Sequence, residues 1–300
     1  LTWGTEEQKR KFLPPMCRGE KIGAFGLTEP DAGSNPLEMT TTYEEKGDAY
    51  ILNGVKYLIS NAGIAHTIVT FAYPKNQPRE AGGRVSAFII DADQPGCHRE
   101  DLVAKMGMPT ANTGMFELVD FATPKDTLLG AEGEGFRIAM GTLVSGRLSV
   151  AAGCLGVIED CLIEALRYAK EREQHGKPIG KHQLVQEHLA AIEMHRLASD
   201  ALVYQAAAAK DASAAAPHDN GLKAKADLSA AQAKLYASNA AWDAADRAVQ
   251  VFGGRGWSTL YRPGRHLQDV RVCRIYEGTD EILKMKIAAA LLGKEFEAFK

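Results

Sequence analysis

Two patterns of apolar and polar residues divide the chain. From Ile22 to about Thr123, the short runs AYILNGVKYLIS, HTIVTFAY, RVSAFII and MFELVDF are rich in β-branched and aromatic residues, and Gly, Pro, Asn and Asp separate them. Such runs predict strands, and strands this short and this close predict a small β-sandwich or barrel. Past LLGAEGEGF the pattern becomes helical. Segments from about Gly135 to Arg172, Lys181 to Lys210 and Leu222 to Phe252 predict three long helices, the last stopped by Gly253 and Gly254. Long helices with short connections predict a bundle. The low-complexity tract AAAAKDASAAAPHDNG, Ala206 to Gly221, reads as a helix-to-helix turn because it holds Pro217 and Gly221. TEEQKRKFLPP reads as the tail of a helix that ends at Pro14, with nothing before it to pack against. The fold class expected is therefore α+β and multidomain: residues 1–20 a helical remnant, 21–130 a β-domain, and 131–300 a helical bundle.

Composition narrows the partners. Three hundred residues, 45% apolar and 24% charged, describe a globular chain large enough for two cores. The net charge of −3 and the absence of any run of Lys and Arg interleaved with aromatics argue against nucleic acid. No apolar run reaches the roughly 18 residues of a membrane span, and LTWGTEEQKRKF lacks the grammar of a signal peptide. A cytoplasmic or organelle-matrix location is expected, the matrix after processing. Cys17, Cys97, Cys154, Cys161 and Cys273 form no C-x-x-C pair and read as reduced thiols, with no metal site expected.

Four segments carry candidate chemistry. FGLTEPDAGSNP, Phe25 to Pro36, combines turn signals with the hydroxyls of Thr28 and Ser34; it reads as a plain β-turn or as a loop offering N–H groups to a phosphate or ring edge. VFGGRGW follows a helix, so it is no dinucleotide fingerprint, and Gly253 suits a helix C-cap. REQHGKPIGKHQ, Arg172 to Gln183, joins two helices with more polar groups than a connector needs. His182, His188 and His195 form no H-E-x-x-H arrangement and read as a solvated or satisfied helix face. In RIYEGTDEI, Glu277 stands between a ring and a glycine; taken alone it is a surface carboxylate or a partly desolvated base.

The order of these segments is more specific than any one of them. GLTEPDAGS, NGVKYLISNAG, ELVDFATPKDTLLGAEGEGF, REQHGKPIGKHQLVQ, QVFGGRGW and HLQDVRVCRIYEGTDEI together resemble the acyl-CoA dehydrogenase family, almost continuously from Thr5 to about Leu292. The resemblance implies a flavoenzyme with a middle β-domain and a C-terminal four-helix bundle. About a hundred residues of the family's N-terminal helical domain have no counterpart here, an amount typical of a small domain. It also implies FAD contacts. Phe25, Leu27 and Thr28 fall at the flavin ring, Gly33 and Ser34 at the turn nearest the pyrophosphate and the substrate mouth. Leu58, Ile59 and Ser60 match the K-x-W-I-T pattern, with Leu58 in place of the aromatic. Arg172, Gln174, His175 and Gln183, with His175 where Phe is usual, match a segment lent by a neighbouring subunit. Gln250, Gly253 and Gly254 match a second lent segment, and Thr279 and Glu281 fall near the adenosine.

A flavin site shared between subunits implies a homo-oligomer, a dimer or a dimer of dimers (a homotetramer). Glu277 is implied as the base that removes the α-proton of an acyl-CoA while a hydride leaves for flavin N5, and electron-transfer flavoprotein as the acceptor. Substrate contacts are implied for Ser34, Val144, Arg147, Tyr276 and Gly278, the glycine clearing space for the thioester. Some relatives carry the base just before the arginine of the first bundle helix; here that position is Gly146, which leaves Glu277. An acyl-CoA oxidase, an enoyl-CoA reductase and a non-catalytic subunit of a heteromeric assembly are the alternatives, and fatty acid or amino acid catabolism the setting.

Overall fold

The computed structural model describes residues 1–77 and 84–296. The chain divides into two compact units, Leu1–Lys105 with Pro109–Thr142, and Met106–Met108 with Leu143–Lys300. The expected α+β arrangement is present, a β-sheet unit followed by a helical one.

In the first unit, β1 (Gly23–Gly26), β2 (Thr42–Lys46), β3 (Ala49–Ser60), β4 (Thr67–Pro74), β5 (Ser86–Asp91), β6 (Cys97–Asp101), β7 (Thr113–Pro124) and β8 (Leu128–Leu129) build one sheet in the order β6-β7-β3-β2-β4-β5-β8, with β1 paired to β4. Both faces of β4 and β5 are covered. Ile68, Ala72, Phe88 and Ile90 join Leu52, Phe116 and Phe121 in one core, whereas Phe71, Tyr73, Ala87 and Ile89 join Leu27, Met39 and Ile138 in another. Alternate residues thus enter different cores, which is why HTIVTFAY reads as an almost unbroken apolar run.

The N-terminal segment departs from expectation. Helix α1 (Glu6–Cys17) runs through Pro14 and Pro15 instead of ending at Pro14. Proline in a last turn removes few helical bonds, and Arg18 N–H closes the helix on the Pro14 carbonyl. The segment also has something to pack against. Gln8 Nε2 donates to the carbonyls of Asp126 and Leu128 at 2.7 and 2.8 Å, and Trp3 and Phe12 lie on the second core.

Lys56, fully buried on β3, ties this unit together. Its ammonium donates to Glu29 Oε1 at 2.9 Å and to the Leu27 carbonyl at 3.3 Å. The Glu29 carboxylate also accepts from the N–H and hydroxyl groups of Thr40 and Thr41. Burial pushes the Glu29 carboxyl up, but Lys56 and these donors outweigh it and hold the group below its ordinary range; burial pushes Lys56 down to about 8, with Glu29 opposing. Both are therefore charged at neutral pH.

In the second unit, α2 (Gly135–Glu171), which begins in the first unit, is followed by the two-residue strands β9 (Glu173–Gln174) and β10 (Lys177–Pro178), then α3 (Gln183–Ala215), α4 (Asn220–Phe252), α5 (Arg262–Val270) and α6 (Asp280–Leu292). The low-complexity tract corrects a second expectation. Alanine, the strongest helix former, carries α3 on to Ala215, so only Ala216–Asp219 lie between the helices. The segment Arg172 to Gln183 is not a plain connector either. It folds as a hairpin whose turn residues, His175 (φ 54°) and Gly176 (φ 73°), are both left-handed, the signature of a type I′ turn. The core of the helical unit is rich in alanine, with Ala233, Ala237, Ala241, Ala244, Ala245 and Ala248 of α4 against Ile158, Ala165 and Ile192.

Removing one member of the buried pair strands the other's charge, a loss on the order of 3–5 kcal/mol, whereas replacing both members by apolar groups costs far less. Glu29→Ala is therefore expected to lower the urea unfolding free energy of the β-unit by about that amount. Adding Lys56→Met to Glu29→Leu should recover most of it in the same measurement.

Candidate active site

The turn from α5 to α6 holds a strained backbone. After a 3-10 turn at Arg271–Arg274, Glu277 takes φ 55° and Gly278 φ 96°. A non-glycine residue in the left-handed region costs on the order of 1–3 kcal/mol and persists only where its surroundings dictate it. Here they do. Arg147 Nε, from α2, donates to the Glu277 carbonyl at 3.1 Å, and Lys234 Nζ, from α4, donates to the Gly278 carbonyl at 2.8 Å. Thr279 Oγ1 caps α6 by accepting from Ile282 N–H, and the buried Asp280 carboxylate accepts from Arg274 Nε at 2.8 Å. The far end of Arg147 donates to Asp227 at 3.0 Å, which also binds Lys286.

This backbone turns the Glu277 side chain against Gly146. A Cβ at position 146 would lie 2.5–2.6 Å from three atoms of the carboxyl group, so the glycine of α2 is the space that the acid occupies. Glu277 Oε2 is buried with no hydrogen-bond partner among the described residues. Burial pushes the carboxyl pKa above its ordinary range, while the charges of Arg147 and Lys234 pull it back. A desolvated acid with a free lone pair and a raised pKa is suited to taking a proton from a weak carbon acid.

Of the other substrate residues expected in this unit, Val144 is half-buried on α2, two residues before Gly146, and Tyr276 Oη lies 3.4 Å from Cys273 Sγ. Arg147 is nearly fully buried and spends its donors on the Glu277 carbonyl and Asp227, which makes it a scaffold for the turn. Gly278, expected to clear room for a thioester, also takes φ 96°, which L side chains rarely adopt, so the turn has its own conformational need for glycine there.

Within the β-unit, a bulge prepares the residues expected at the flavin ring. The register of β3 against β7 slips between Lys56 and Ile59, and Leu58 there takes φ 57°. Lys56 and Ile59 consequently both point inward while Leu58, 52% exposed, and Ser60 point out. The Tyr57 N–H donates to the Thr28 carbonyl at 2.9 Å, so Lys56 and its neighbour fix the backbone of both Leu27 and Thr28. Leu27 is buried, Phe25 and Thr28 are half-buried, and Gly33 and Ser34 are exposed.

In the helical unit, Arg172, Gln174, His175 and Gln183 are exposed around the β9–β10 hairpin, and Gln250, Gly253 and Gly254 at the end of α4. The side chains of Arg172, Gln183 and Gln250 make no hydrogen bond among the described residues, and a Cβ at Gly253 or Gly254 would meet nothing. Amide and guanidinium donors left free, beside backbone bare of side chains, suit an anionic, extended cofactor. Thr279 and Glu281 are engaged in the α6 cap.

Lys234 and Asp227 escaped the motif reading. A signal existed for Lys234, which falls on the stripe of α4 that buries Ala230, Ala231, Ala237, Ala241 and Ala245, where a lysine is out of place. Lys56 carried a signal too, since it keeps the inward parity of Tyr50 and Leu52 along β3.

Two family models match the chain: the acyl-CoA dehydrogenase middle domain over residues 24–121 and the acyl-CoA dehydrogenase C-terminal domain over 133–292. A short-chain-specific acyl-CoA dehydrogenase of Clostridium acetobutylicum is 40% identical over 96% of this chain and 73% of its own length. The chain belongs to the acyl-CoA dehydrogenase family. Among solved structures, the butyryl-CoA dehydrogenase of Megasphaera elsdenii is 40% identical with a TM-score of 0.88, covering 97% of this chain and 73% of that one. A glutaryl-CoA dehydrogenase of Mycobacterium smegmatis, solved with FADH2, has a TM-score of 0.89 at 30% identity and covers 100% of this chain and 72% of that one. The acyl-CoA dehydrogenases are flavoprotein oxidoreductases. In this member, His195 Nε2 lies 2.9 Å from Asp243 and His188 faces Glu187, and no cluster of three or more metal-ligating side chains occurs among the described residues. Among those residues no helix is long and apolar enough to cross a membrane.

A raised carboxyl pKa has a sign in stability. The Glu277 contribution is fully present below the ordinary carboxylate pKa and is lost as pH rises through the raised folded-state value. Glu277→Gln, which mimics the protonated acid, is expected to unfold about 1–4 °C above the parent at neutral pH. In thermal melts across pH that gap should close near about pH 4.

Proposed function

We propose that the chain catalyses the FAD-dependent α,β-dehydrogenation of an acyl-CoA thioester, with Glu277 as the base. One observation carries this reading: a buried carboxyl oxygen without a partner, on a backbone that two helices hold in a left-handed turn. A proton beside a thioester carbonyl is weakly acidic, so its removal needs a base held in place and desolvated before the substrate arrives. Glu277 supplies that base and Gly146 the room for it, while Val144 and Tyr276 offer the apolar surroundings of an acyl chain.

The free donors and bare backbone described above fit FAD, with Phe25, Leu27, Thr28, Leu58, Ile59 and Ser60 toward its ring and Gly33 and Ser34 toward its pyrophosphate and the substrate mouth. Arg172, Gln174, His175, Gln183, Gln250, Gly253 and Gly254 would serve a second subunit's cofactor, and the Thr279 to Glu281 turn its adenosine end. When bound, FAD would accept the β-hydrogen as hydride. Leu58 in place of an aromatic keeps an apolar wall but gives up stacking. The family's usual acceptor, electron-transfer flavoprotein, is the proposed electron partner. A homo-oligomer is supported by Leu184, Met194 and Tyr204, large apolar side chains of α3 that are 81%, 63% and 68% exposed. Short straight-chain acyl-CoAs, which the names of two relatives suggest, are the first substrates to try. Bacterial cytoplasm or the mitochondrial matrix is the proposed location.

The purified protein is expected to be yellow. Under anaerobic conditions, short-chain acyl-CoA should bleach its flavin absorbance, and Glu277→Gln should keep the flavin but bleach at least about 100-fold more slowly. A colourless protein that takes up no FAD, or undiminished bleaching in the variant, would contradict the assignment.

A further inference from the structure

Lys234 is fully buried in the middle of α4, yet among the described residues its ammonium makes a single hydrogen bond, to the Gly278 carbonyl at 2.8 Å, and no ion pair. Burying an ammonium without a close counter-ion costs several kcal/mol, and a neutral amide would hold a carbonyl more cheaply. The expense points to work for the charge itself. Three elements packed around the ammonium bring the other ionisable groups: Arg147 and Cys154 from α2, Cys273, Arg274, Tyr276 and Glu277 from the turn, and Asp280 from α6. Each of the two carboxyl groups among them keeps a buried oxygen without a partner, and Asp280 is the larger electrostatic neighbour of Lys234; Asp280, however, already accepts from Arg274, whereas no group donates to the Glu277 carboxylate among the described residues.

We infer that Lys234 is a positioning residue for the Glu277 base: its ammonium fixes the carbonyl that follows Glu277, as Arg147 fixes the Glu277 carbonyl, and its charge keeps the buried carboxyl ionised and ready for a proton. The inference rests on the reading of Glu277 given above. Burial pushes the carboxyl toward its protonated form, and the two cations held on successive carbonyls oppose that push. The same pair holds the left-handed turn, so geometry and charge depend on one contact.

The test follows anaerobic flavin bleaching against pH in the holoenzyme for the parent, Lys234→Met and Lys234→Arg, with FAD content and melting temperature measured alongside. Lys234→Met is expected to retain FAD, to bleach roughly tenfold or more slowly at neutral pH, and to move the pH midpoint of the rate upward. Lys234→Arg should return the midpoint toward the parent value. In the flavin-free protein, the carboxyl band that Glu277→Gln abolishes in infrared difference spectra should likewise titrate at higher pH in Lys234→Met. A variant that melts earlier but keeps the parent midpoint in both measurements would make Lys234 merely structural and overturn the inference. Should Lys234→Met not fold, Lys234→Gln, which can still donate to Gly278 without a charge, must show the upward shift, and an unchanged midpoint there overturns it equally. Undiminished bleaching in Glu277→Gln would defeat the base assignment; an inactive Glu277→Gln beside an unshifted Lys234 variant would defeat only the role of Lys234.

Discussion

A carboxyl group that must be both desolvated and ionisable sets the demands on the helical unit. Glu277 meets them on a left-handed backbone whose two carbonyls are held from different helices, by Arg147 and Lys234. Neither helix could reach the turn without close packing. The alanines of α4 let its axis approach α3, and Lys234 on the same buried stripe reaches the Gly278 carbonyl. On α2, Gly146 leaves the volume that the carboxyl fills. Base, clamp and space therefore come from three segments far apart in sequence, and the bundle is what brings them together.

The β-unit solves a different problem by similar means. Its exposed residues Leu58 and Ser60 project because a bulge in β3 breaks strand alternation, and the buried Lys56–Glu29 pair keeps that bulge registered with the backbone of Leu27 and Thr28. In both units a buried lysine ammonium holds a backbone carbonyl beside residues that carry candidate chemistry. Lys56 has a carboxylate partner at 2.9 Å, whereas Lys234 has none as near.

Much of this was legible in the chain itself. Runs rich in β-branched and aromatic residues located the main strands, and period-3.6 runs the three long helices, whose buried faces impose that period directly. The RIYEGTDEI stretch pointed to Glu277, and the order of the motifs to the family. Helix ends were less legible: α1 continues through Pro14, and α3 runs to Ala215 because alanine outweighs low complexity. The clamp was invisible to motif reading, since Arg147, Lys234 and Glu277 are separated by 87 and 43 positions and only the packed helices make them neighbours. The reason for Gly278 was likewise hidden, because a positive φ is a property of the folded turn.

Glu277 as the proton acceptor is the claim on which the chemical account stands, and it can be tested apart from electron transfer. An acyl-CoA whose β-carbon bears no hydrogen cannot lose hydride, but its α-proton can still be taken and returned. In deuterated water, the holoenzyme is expected to wash deuterium into the α-position of such a compound, as followed by proton NMR, and Glu277→Gln to leave it protiated. Equal exchange by both proteins would show that another group, or solvent, removes the proton.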